Sequence, residues 1–244
     1  MRWLRRFLLA LKKPNLVYRR LRYGASQLSI IDLSEIQPHL LLRGVIIEAG
    51  ASDGVDTLAL RKRFAQHMIF AIEPVKEQFE YLQQLFRDSK TVKLANLALS
   101  NKKGISEINI GTDETWKLGG MGSSSLLRPT RHESEFPQIK FTIRQKVKTT
   151  TLHDFAIENN INLVDLLWLD LQGLEYSVLK ASAEWIMENV NCIHLELCRV
   201  PLYLGASNAN EVEKFLKSIG FRKCIDRVGI TSGNSLFVNK GFSK

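Results

Sequence analysis

The stretch VIIEAGASDG, residues 45–54, decides the fold class. Its short β-branched run, Val45–Ile47, is typical of a buried strand, and a helical pattern begins at Thr57. Between them, Gly50 and Gly54 let the backbone turn tightly and let a ligand approach the main chain closely. The helix start supplies N–H groups with no partner inside the helix. The stretch therefore predicts a ligand-binding strand–turn–helix unit, with a plain β–α turn as the alternative for the glycines alone.

An acid closes the next predicted strand, in IFAIEP over residues 69–74. Glu73 in that position can accept hydrogen bonds from both hydroxyls of a ribose. The glycine spacing is GxxxG, which differs from the GxGxxG of dinucleotide sites, and no GxxxxGK[ST] P-loop occurs. Glu48 adds negative charge, which disfavours a pyrophosphate and suits a cationic nucleoside such as S-adenosylmethionine. The sequence therefore predicts that ligand.

Strands and helices alternate along the remaining chain, which favours an α/β fold with a mostly parallel sheet and right-handed crossovers. Further strands are predicted at 68–72, 91–97, 163–169 and 192–197, and helices at 57–66, 75–87, 152–159, 175–189 and 209–219. The closing pair, 221–225 and 235–238, predicts an antiparallel edge strand. In the middle, strands at 106–110 and 140–148 flank residues 111–138, a long Gly- and Ser-rich segment that we expect to form an acceptor loop or lid.

Further acids follow the later strands. Asp170 comes directly after an apolar run, at the same sheet edge as Gly50, and Glu196 has the corresponding place on the next strand. A buried strand that delivers a carboxylate to this edge is better explained by function than by a turn. Glu175 falls in the first turn of the next helix, where the helix dipole alone favours an acid.

Taken together, these blocks resemble FkbM-type S-adenosylmethionine-dependent methyltransferases. The resemblance runs from about Val45 to Phe221. It is carried, in order, by IIEAGASDGVDT, IFAIEP, ANLALSNKKG, GGMGSSSLL, TTLHDF, DLLWLDLQGLEYSVLKA, HLELC and FLKSIGF. Two departures leave a polar or acidic group in place: Ser52 stands where asparagine is common, and Glu48 where aspartate is common.

The resemblance implies a Rossmann-like methyltransferase domain over residues 37–244 and O-methylation, often of sugar hydroxyls in glycans, glycolipids or natural products. It implies that Glu73 holds the cofactor's ribose. The cofactor-binding set implied in full is Glu48, Gly50, Ser52, Gly54, Glu73, Asn96, Ala98 and Asp170, with Asn96 and Ala98 near the adenine. Asp170 and Glu196 would line the acceptor side.

Methyl transfer to an alcohol requires alignment of two reactants and removal of a weakly acidic proton. Asp170 or Glu196 would act as the base. Alternatively, Asp170, Glu175 and Glu196 would hold a divalent cation such as magnesium, which polarises the hydroxyl. The sequence leaves both open. The rival classes are a nicotinamide-dependent oxidoreductase, which the glycine spacing disfavours, and a non-catalytic binding module that keeps the nucleotide fold.

The positive charge of the chain is concentrated in a basic N-terminal arm, residues 1–36. Of 34 Lys and Arg residues, eight lie within residues 1–31, which hold none of the 25 acids. The nearly neutral body makes nucleic acid an unlikely partner, because binding over the whole surface needs basic residues there. The start of the arm predicts a basic amphipathic helix, which contacts an anionic membrane through residues 2–22 or packs on the body or a second subunit.

Three cysteines form no disulfide framework and no zinc motif, which favours a reducing compartment. The apolar run near the N-terminus is shorter than a signal peptide needs. We therefore expect a cytoplasmic enzyme, peripheral to a membrane, that acts on a small-molecule or glycan acceptor.

Overall fold

The computed structural model describes residues 31–112 and 122–242. Most of the N-terminal arm, with its predicted amphipathic helix, and residues 113–121 of the predicted lid lie outside the described residues. No described helix has both the length and the apolar character needed to cross a membrane.

The described elements alternate as the sequence predicts. The strands are β1 Val45–Ala49, β2 Met68–Ile72, β3 Val92–Ala95, β4 Ala98–Leu99, β5 Gly104–Thr112, β6 Lys140–Thr150, β7 Val164–Leu169, β8 Val190–Cys198, β9 Phe221–Asp226 and β10 Ser232–Asn239. The α-helices are α1 Leu33–Ile36, α2 Val55–Arg63, α3 Lys76–Leu85, α4 His132–Glu135, α5 Leu152–Glu158, α6 Glu175–Ala181, α7 Ala183–Asn189 and α8 Ala209–Ser218, and a 3₁₀ turn spans Gln37–His39.

Seven strands form the main sheet in the order β3-β2-β1-β7-β8-β10-β9. Strands β3, β2, β1, β7 and β8 pair in parallel, and β10 runs antiparallel to both β8 and β9. The predicted mostly parallel, Rossmann-like sheet with an antiparallel edge is confirmed. The antiparallel strand itself lies one place in from the edge. The strand order reverses between β1 and β7, and ligands of such sheets bind at that reversal, beyond the carboxyl ends of the strands.

Both faces of the sheet are covered by apolar packing, because successive strand residues point to opposite sides. In β1, Ile46 belongs to one hydrophobic cluster with Leu60 of α2 and Leu82 of α3, whereas Ile47 belongs to another with Val178 of α6 and Leu216 of α8. All six side chains are fully buried. This packing holds the carboxyl ends of β1, β2 and β7 in fixed relation to one another.

The middle of the chain forms a separate three-stranded sheet in the order β4-β6-β5. The predicted strands at 106–110 and 140–148 exist as parts of β5 and β6, which pair antiparallel with each other and not with the main sheet. The described part of the predicted lid returns along β5, where Asn109 and Ser125 exchange backbone hydrogen bonds of 2.8 and 3.0 Å. The lid segment is thereby anchored beside the main crevice.

The single helix predicted over 175–189 is wrong, because the structure has two helices, α6 and α7, separated at Ser182. This residue has φ −124° and ψ 24°, outside helical geometry. Its hydroxyl accepts a hydrogen bond from the N–H of His153 at 3.1 Å. Serine is suited to such a break because its side chain competes for backbone groups.

Candidate active site

A crevice opens at the reversal of strand order, beyond the carboxyl ends of β1, β2 and β7. Five segments build its walls: the turn after β1, the end of β2 with the start of α3, the segment around β4 with part of β5, the turn after β7, and the described part of the lid. The lining residues are Gly50, Ser52, Ile72, Glu73, Pro74, Gln78, Leu97, Ala98, Leu99, Ile108, Gly122, Ser124, Ser125, Leu126, Asp170, Leu171, Gln172 and Leu174.

The turn after β1 depends on Gly50. Its φ is +91°, a left-handed conformation that favours glycine. A Cβ atom there would lie 2.1 Å from the carbonyl oxygen of Asp170. The N–H groups of Gly50 and Ala51 both donate to the carbonyl of Ile72 at 3.0 Å. Glycine therefore lets the ends of β1, β2 and β7 meet closely, and the main chain lies open to the crevice.

Gly54 has a different local role. It precedes the first residue of α2 with φ +76°. A Cβ atom there would lie 2.7 Å from Leu82 Cδ2 and 3.0 Å from Leu85 Cδ2. Gly54 thus allows α2 to pack closely on α3, and it is not among the described residues that line the crevice. Its predicted contact with a cofactor stays a prediction.

Glu73 provides a buried carboxylate at the end of β2, with 3% of the residue exposed. Its Oε2 accepts the N–H of Ser52 at 2.7 Å, and its Oε1 accepts the N–H of Val75 at 2.8 Å. Gln78 Nε2 donates to Ser52 Oγ at 3.2 Å and so connects the same turn to α3. These bonds fix the Glu73 carboxylate at the wall of the crevice, which it lines.

Two predicted cofactor residues support the walls of the crevice. Glu48 is 1% exposed, and its Oε2 accepts the hydroxyl of Thr57 in α2 at 2.6 Å. Asn96 Nδ2 donates to the carbonyls of Glu73 and Pro74 at 2.9 and 3.1 Å, which braces the turn after β2. The other predicted residues, Gly50, Ser52, Glu73, Ala98 and Asp170, line the crevice together.

The turn after β7 carries Asp170, whose N–H donates to the carbonyl of Ala49 at 3.0 Å. Gln172 Nε2 donates to Asp170 Oδ1 at 2.6 Å. Tyr203 brings its hydroxyl within 2.7 Å of the Ser123 carbonyl in the lid and within 3.1 Å of Gln172 Oε1. The Ser123 carbonyl of the lid, the Tyr203 hydroxyl, the Gln172 amide and the Asp170 carboxylate therefore form one hydrogen-bonded network.

Sequence reasoning missed Gln172 and Tyr203. Gln172 has φ +52°, a conformation uncommon outside glycine, and such residues concentrate at functional sites. The position of Gln172 directly before Gly173, in the DLQGLE stretch, was the sequence feature that could have indicated a place in the site. For Tyr203 no local pattern pointed to the crevice, because its partners come from two distant segments.

Glu175 is 7% exposed and faces the turn that precedes α6. Its carboxylate accepts the N–H of Leu171 at 2.8 Å and that of Gly173 at 3.1 Å. Burial raises its pKa to about 7, although these N–H donors act in the opposite direction. Its main structural role is thus to hold the turn that presents Asp170.

Glu196 lies half-buried in β8, opposite Asn234 of β10. Burial raises the pKa of the Cys198 thiol, and the nearby carboxylates of Glu196, Glu175 and Asp170 raise it further. Burial and the same three acids also raise the pKa of Tyr203. Asp170, Glu175 and Glu196 are therefore all near enough to Cys198 and Tyr203 to influence both.

No three or more His, Cys, Asp and Glu side chains within residues 31–112 and 122–242 are grouped so as to hold a metal ion. Asp170, Glu175 and Glu196 remain candidates only, and the magnesium-type site stays a prediction.

The mostly parallel sheet, the glycine turn after β1 and the acids after β2 and β7 match the arrangement expected of a Rossmann-like methyltransferase. The family model described as the methyltransferase FkbM domain matches residues 48–223. The chain belongs to this family.

Among curated proteins, the chain is similar to the 2-O-methyltransferase NoeI of Sinorhizobium fredii, with 26% identity over 165 residues and 66% of each chain covered. Among solved structures, it is similar to the methyltransferase FkbM of Methylobacillus flagellatus KT (14% identity, TM-score 0.47, 81% of this chain and 44% of that chain). A further similar structure is a SAM-dependent methyltransferase of Aquifex aeolicus (13% identity, TM-score 0.46, 91% of this chain and 97% of that chain covered). The chain thus spans about two thirds of NoeI and less than half of the Methylobacillus protein.

Proposed function

We propose that this chain transfers a methyl group from S-adenosylmethionine to a hydroxyl of a sugar, glycan, glycolipid or related metabolite. The observation that carries this proposal is the buried carboxylate of Glu73 at the switch point of the sheet, where ribose hydroxyls can reach it. Family membership supports methyl transfer. The 2-O-methyltransferase name of the relative NoeI supports oxygen as the acceptor atom.

The charges of the crevice fit a cationic nucleoside. Glu73 and Asp170 line it, and no Lys or Arg is among its described lining residues. A pyrophosphate would meet these carboxylates without a compensating cation, which disfavours the nicotinamide-dependent alternative. A positively charged sulfur is stabilised in the same place. We infer that Glu73 and the turn at Gly50 hold the nucleoside part of S-adenosylmethionine, with Ser52 and Ala98 in the adjoining walls.

When bound, S-adenosylmethionine supplies an electrophilic methyl group. The chain itself must align the acceptor hydroxyl and take its proton as the oxygen becomes an ether. Tyr203 and Cys198 are poor bases at neutral pH because burial raises the pKa of both and keeps them protonated. The proton therefore passes to a carboxylate, Asp170 or Glu196. Gln172 orients Asp170 by fixing its Oδ1.

The first experiment supplies methyl-tritiated S-adenosylmethionine and separate glycan and lipid pools to the full chain. We expect label in an alkali-stable ether product. Asp170→Asn should lower the transfer rate by at least about 100-fold, the usual contribution of a general base, and this loss should exceed any weakening of S-adenosylhomocysteine binding. The matched control is Asp88→Asn, which changes a carboxylate that is 88% exposed. Normal turnover of Asp170→Asn would contradict the proposed role of this residue.

Metal dependence is a separate question in the same assay. Full turnover in EDTA would assign the proton transfer to the carboxylates alone. Loss of turnover that returns with added magnesium would show that a divalent cation takes part in the reaction.

A further inference from the structure

Three loops lie side by side at the sheet edge where the crevice opens, and we call them the rim loops: residues 128–131, 199–204 and 229–231. The first belongs to the predicted lid, the second follows β8 and the third connects β9 to β10. Backbone hydrogen bonds join them, from Leu204 N to Arg128 O (2.8 Å), from Thr130 N to Leu202 O (3.0 Å) and from Arg199 N to Thr231 O (2.8 Å). The rim loops therefore form one continuous surface.

This surface lies next to the proposed acceptor side. Tyr203, in the second rim loop, contacts Gln172 of the crevice and Ser123 of the lid. A partner bound on the rim loops would consequently sit at the mouth of the crevice.

Each of two rim loops presents exposed aliphatic side chains. Ile230 is 92% exposed, Leu204 is 61% exposed and Val200 is 44% exposed. A single exposed aliphatic residue needs no explanation, because much of any protein surface is apolar. Three of them on adjoining loops at one edge form an apolar tip, a feature that marks interaction surfaces.

The charged residues within the rim loops are all arginines. Arg128, Arg131 and Arg199 are all exposed, and the rim loops contain no Asp or Glu. The body of the chain is otherwise nearly neutral, so this is a local excess of positive charge. The acids nearest to the rim loops along the chain are Glu133, which follows the first loop in α4, Glu196, which precedes the second in β8, and Asp226, which precedes the third at the end of β9.

Aliphatic side chains flanked by arginines suit an anionic bilayer, whose interface accepts apolar groups while its phosphates attract cations. Single-stranded nucleic acid is a poorer match, because its bases stack on exposed aromatic rings. The only aromatic residue of the rim loops is Tyr203, which is 4% exposed.

We propose that the rim loops dock on the surface of an anionic lipid bilayer. Ile230 and Leu204 enter the boundary between headgroups and acyl chains, and Arg128, Arg131 and Arg199 lie on lipid phosphates. The crevice then opens toward the bilayer, which selects a lipid-linked hydroxyl compound as the acceptor. That last consequence rests on the proposed function, whereas the docking itself does not.

The test is flotation of the full chain with vesicles of phosphatidylcholine mixed with phosphatidylglycerol, and with vesicles of phosphatidylcholine alone. Leu204→Asp combined with Ile230→Asp should lower the partition coefficient by at least about tenfold, because two apolar insertions are lost. The matched control is Ile105→Asp combined with Ile157→Asp, since these side chains are 73% and 61% exposed elsewhere. The control should partition like the parent chain.

A second variant tests the charges. Arg128→Gln combined with Arg131→Gln should lower partitioning into the anionic vesicles by about fivefold per arginine in contact. It should leave the weak binding to neutral vesicles unchanged. Thermal melting and binding of S-adenosylhomocysteine should match the parent chain in every variant, which separates docking from folding and from the proposed function.

Equal partitioning of the rim variants and the control variants would overturn the proposal and assign any membrane binding to the N-terminal arm. A parent chain that fails to float but dimerises in sedimentation equilibrium, with the dimer lost in the rim variants, would instead make this surface a contact between two copies. Binding of single-stranded RNA that the arginine variant abolishes, without flotation, would also overturn it.

Discussion

The substitution Glu73→Gln tests the assignment of the crevice most selectively. The parent carboxylate is buried, accepts two backbone N–H groups, from Ser52 and Val75, and lines the crevice in which the ribose is proposed to lie. Glutamine keeps the size of the side chain but removes the charge and one accepting oxygen. Hydrogen bonds to a charged group contribute about 1.5–3 kcal/mol each. Loss of one such bond to the ligand therefore weakens binding by about 10- to 150-fold.

Calorimetric titration with S-adenosylhomocysteine measures this loss without knowledge of the acceptor. The matched control is Glu77→Gln, which removes an exposed carboxylate four residues further along the chain and should leave the Kd unchanged. Glu73→Gln also leaves one backbone N–H with a poorer acceptor, so we expect a lower melting temperature, and the titration is run well below it. A Kd for Glu73→Gln within about twofold of the parent value would refute the reasoning, because the predicted bond would then contribute less than about 0.5 kcal/mol.

Three further predictions concern stability. Gly50→Ala should lower the free energy of unfolding in urea by about 3 kcal/mol or more, because φ is +91° and the new methyl would meet the Asp170 carbonyl; a change below about 1 kcal/mol would contradict the tight turn. Burial raises the pKa of Glu175 to about 7. Its contribution to the free energy of unfolding is therefore present below about pH 4.5 and is lost as the pH rises through about 7. Glu175→Gln should therefore gain up to about 3 kcal/mol relative to the parent between about pH 5 and about pH 8, and a pH-independent difference in calorimetric melting would contradict this. Asp165→Asn should lower the free energy of unfolding by about 3 kcal/mol. The fully buried carboxylate accepts hydrogen bonds from His67 Nε2, the Leu41 N–H and Asn191 Nδ2 at 2.8–2.9 Å. A loss of stability no larger than that of the exposed variant Asp88→Asn would contradict this.

The parts of the site that could be predicted from sequence are those encoded locally. Gly50 follows a β-branched run directly, and Glu73 and Asp170 each follow an apolar run, so strand periodicity alone places all three at one edge of a parallel sheet. The same locality explains the confirmed fold class, because strand and helix periods are visible within short windows.

The parts that were missed depend on contacts between distant segments. Tyr203 reaches Gln172 across 31 positions and Ser123 across 80, which no local pattern encodes. The break between α6 and α7 falls at Ser182, whose hydroxyl accepts a hydrogen bond from the N–H of His153, 29 positions away. The pairing of β5 with β6 in a sheet of their own, and the insertion of β10 between β8 and β9, are likewise decided by tertiary packing.

The arrangement also divides the predicted cofactor residues by physical role. Glu48 and Asn96 hold elements in place through Thr57 and the carbonyls after β2, whereas Gly50 and Glu73 present groups to the crevice. Substitution of the first pair should therefore reduce stability as well as affinity, whereas conservative change of Glu73 should act mainly on affinity.

Titration of the parent chain with S-adenosylmethionine, S-adenosylhomocysteine and NAD tests the central claim most directly. The account predicts saturable heat at one site per chain for the first two ligands, competition between them, and no heat for NAD, because the crevice offers carboxylates and no described cation to a pyrophosphate. Saturable binding of NAD with no binding of S-adenosylhomocysteine would contradict the methyltransferase assignment of this crevice.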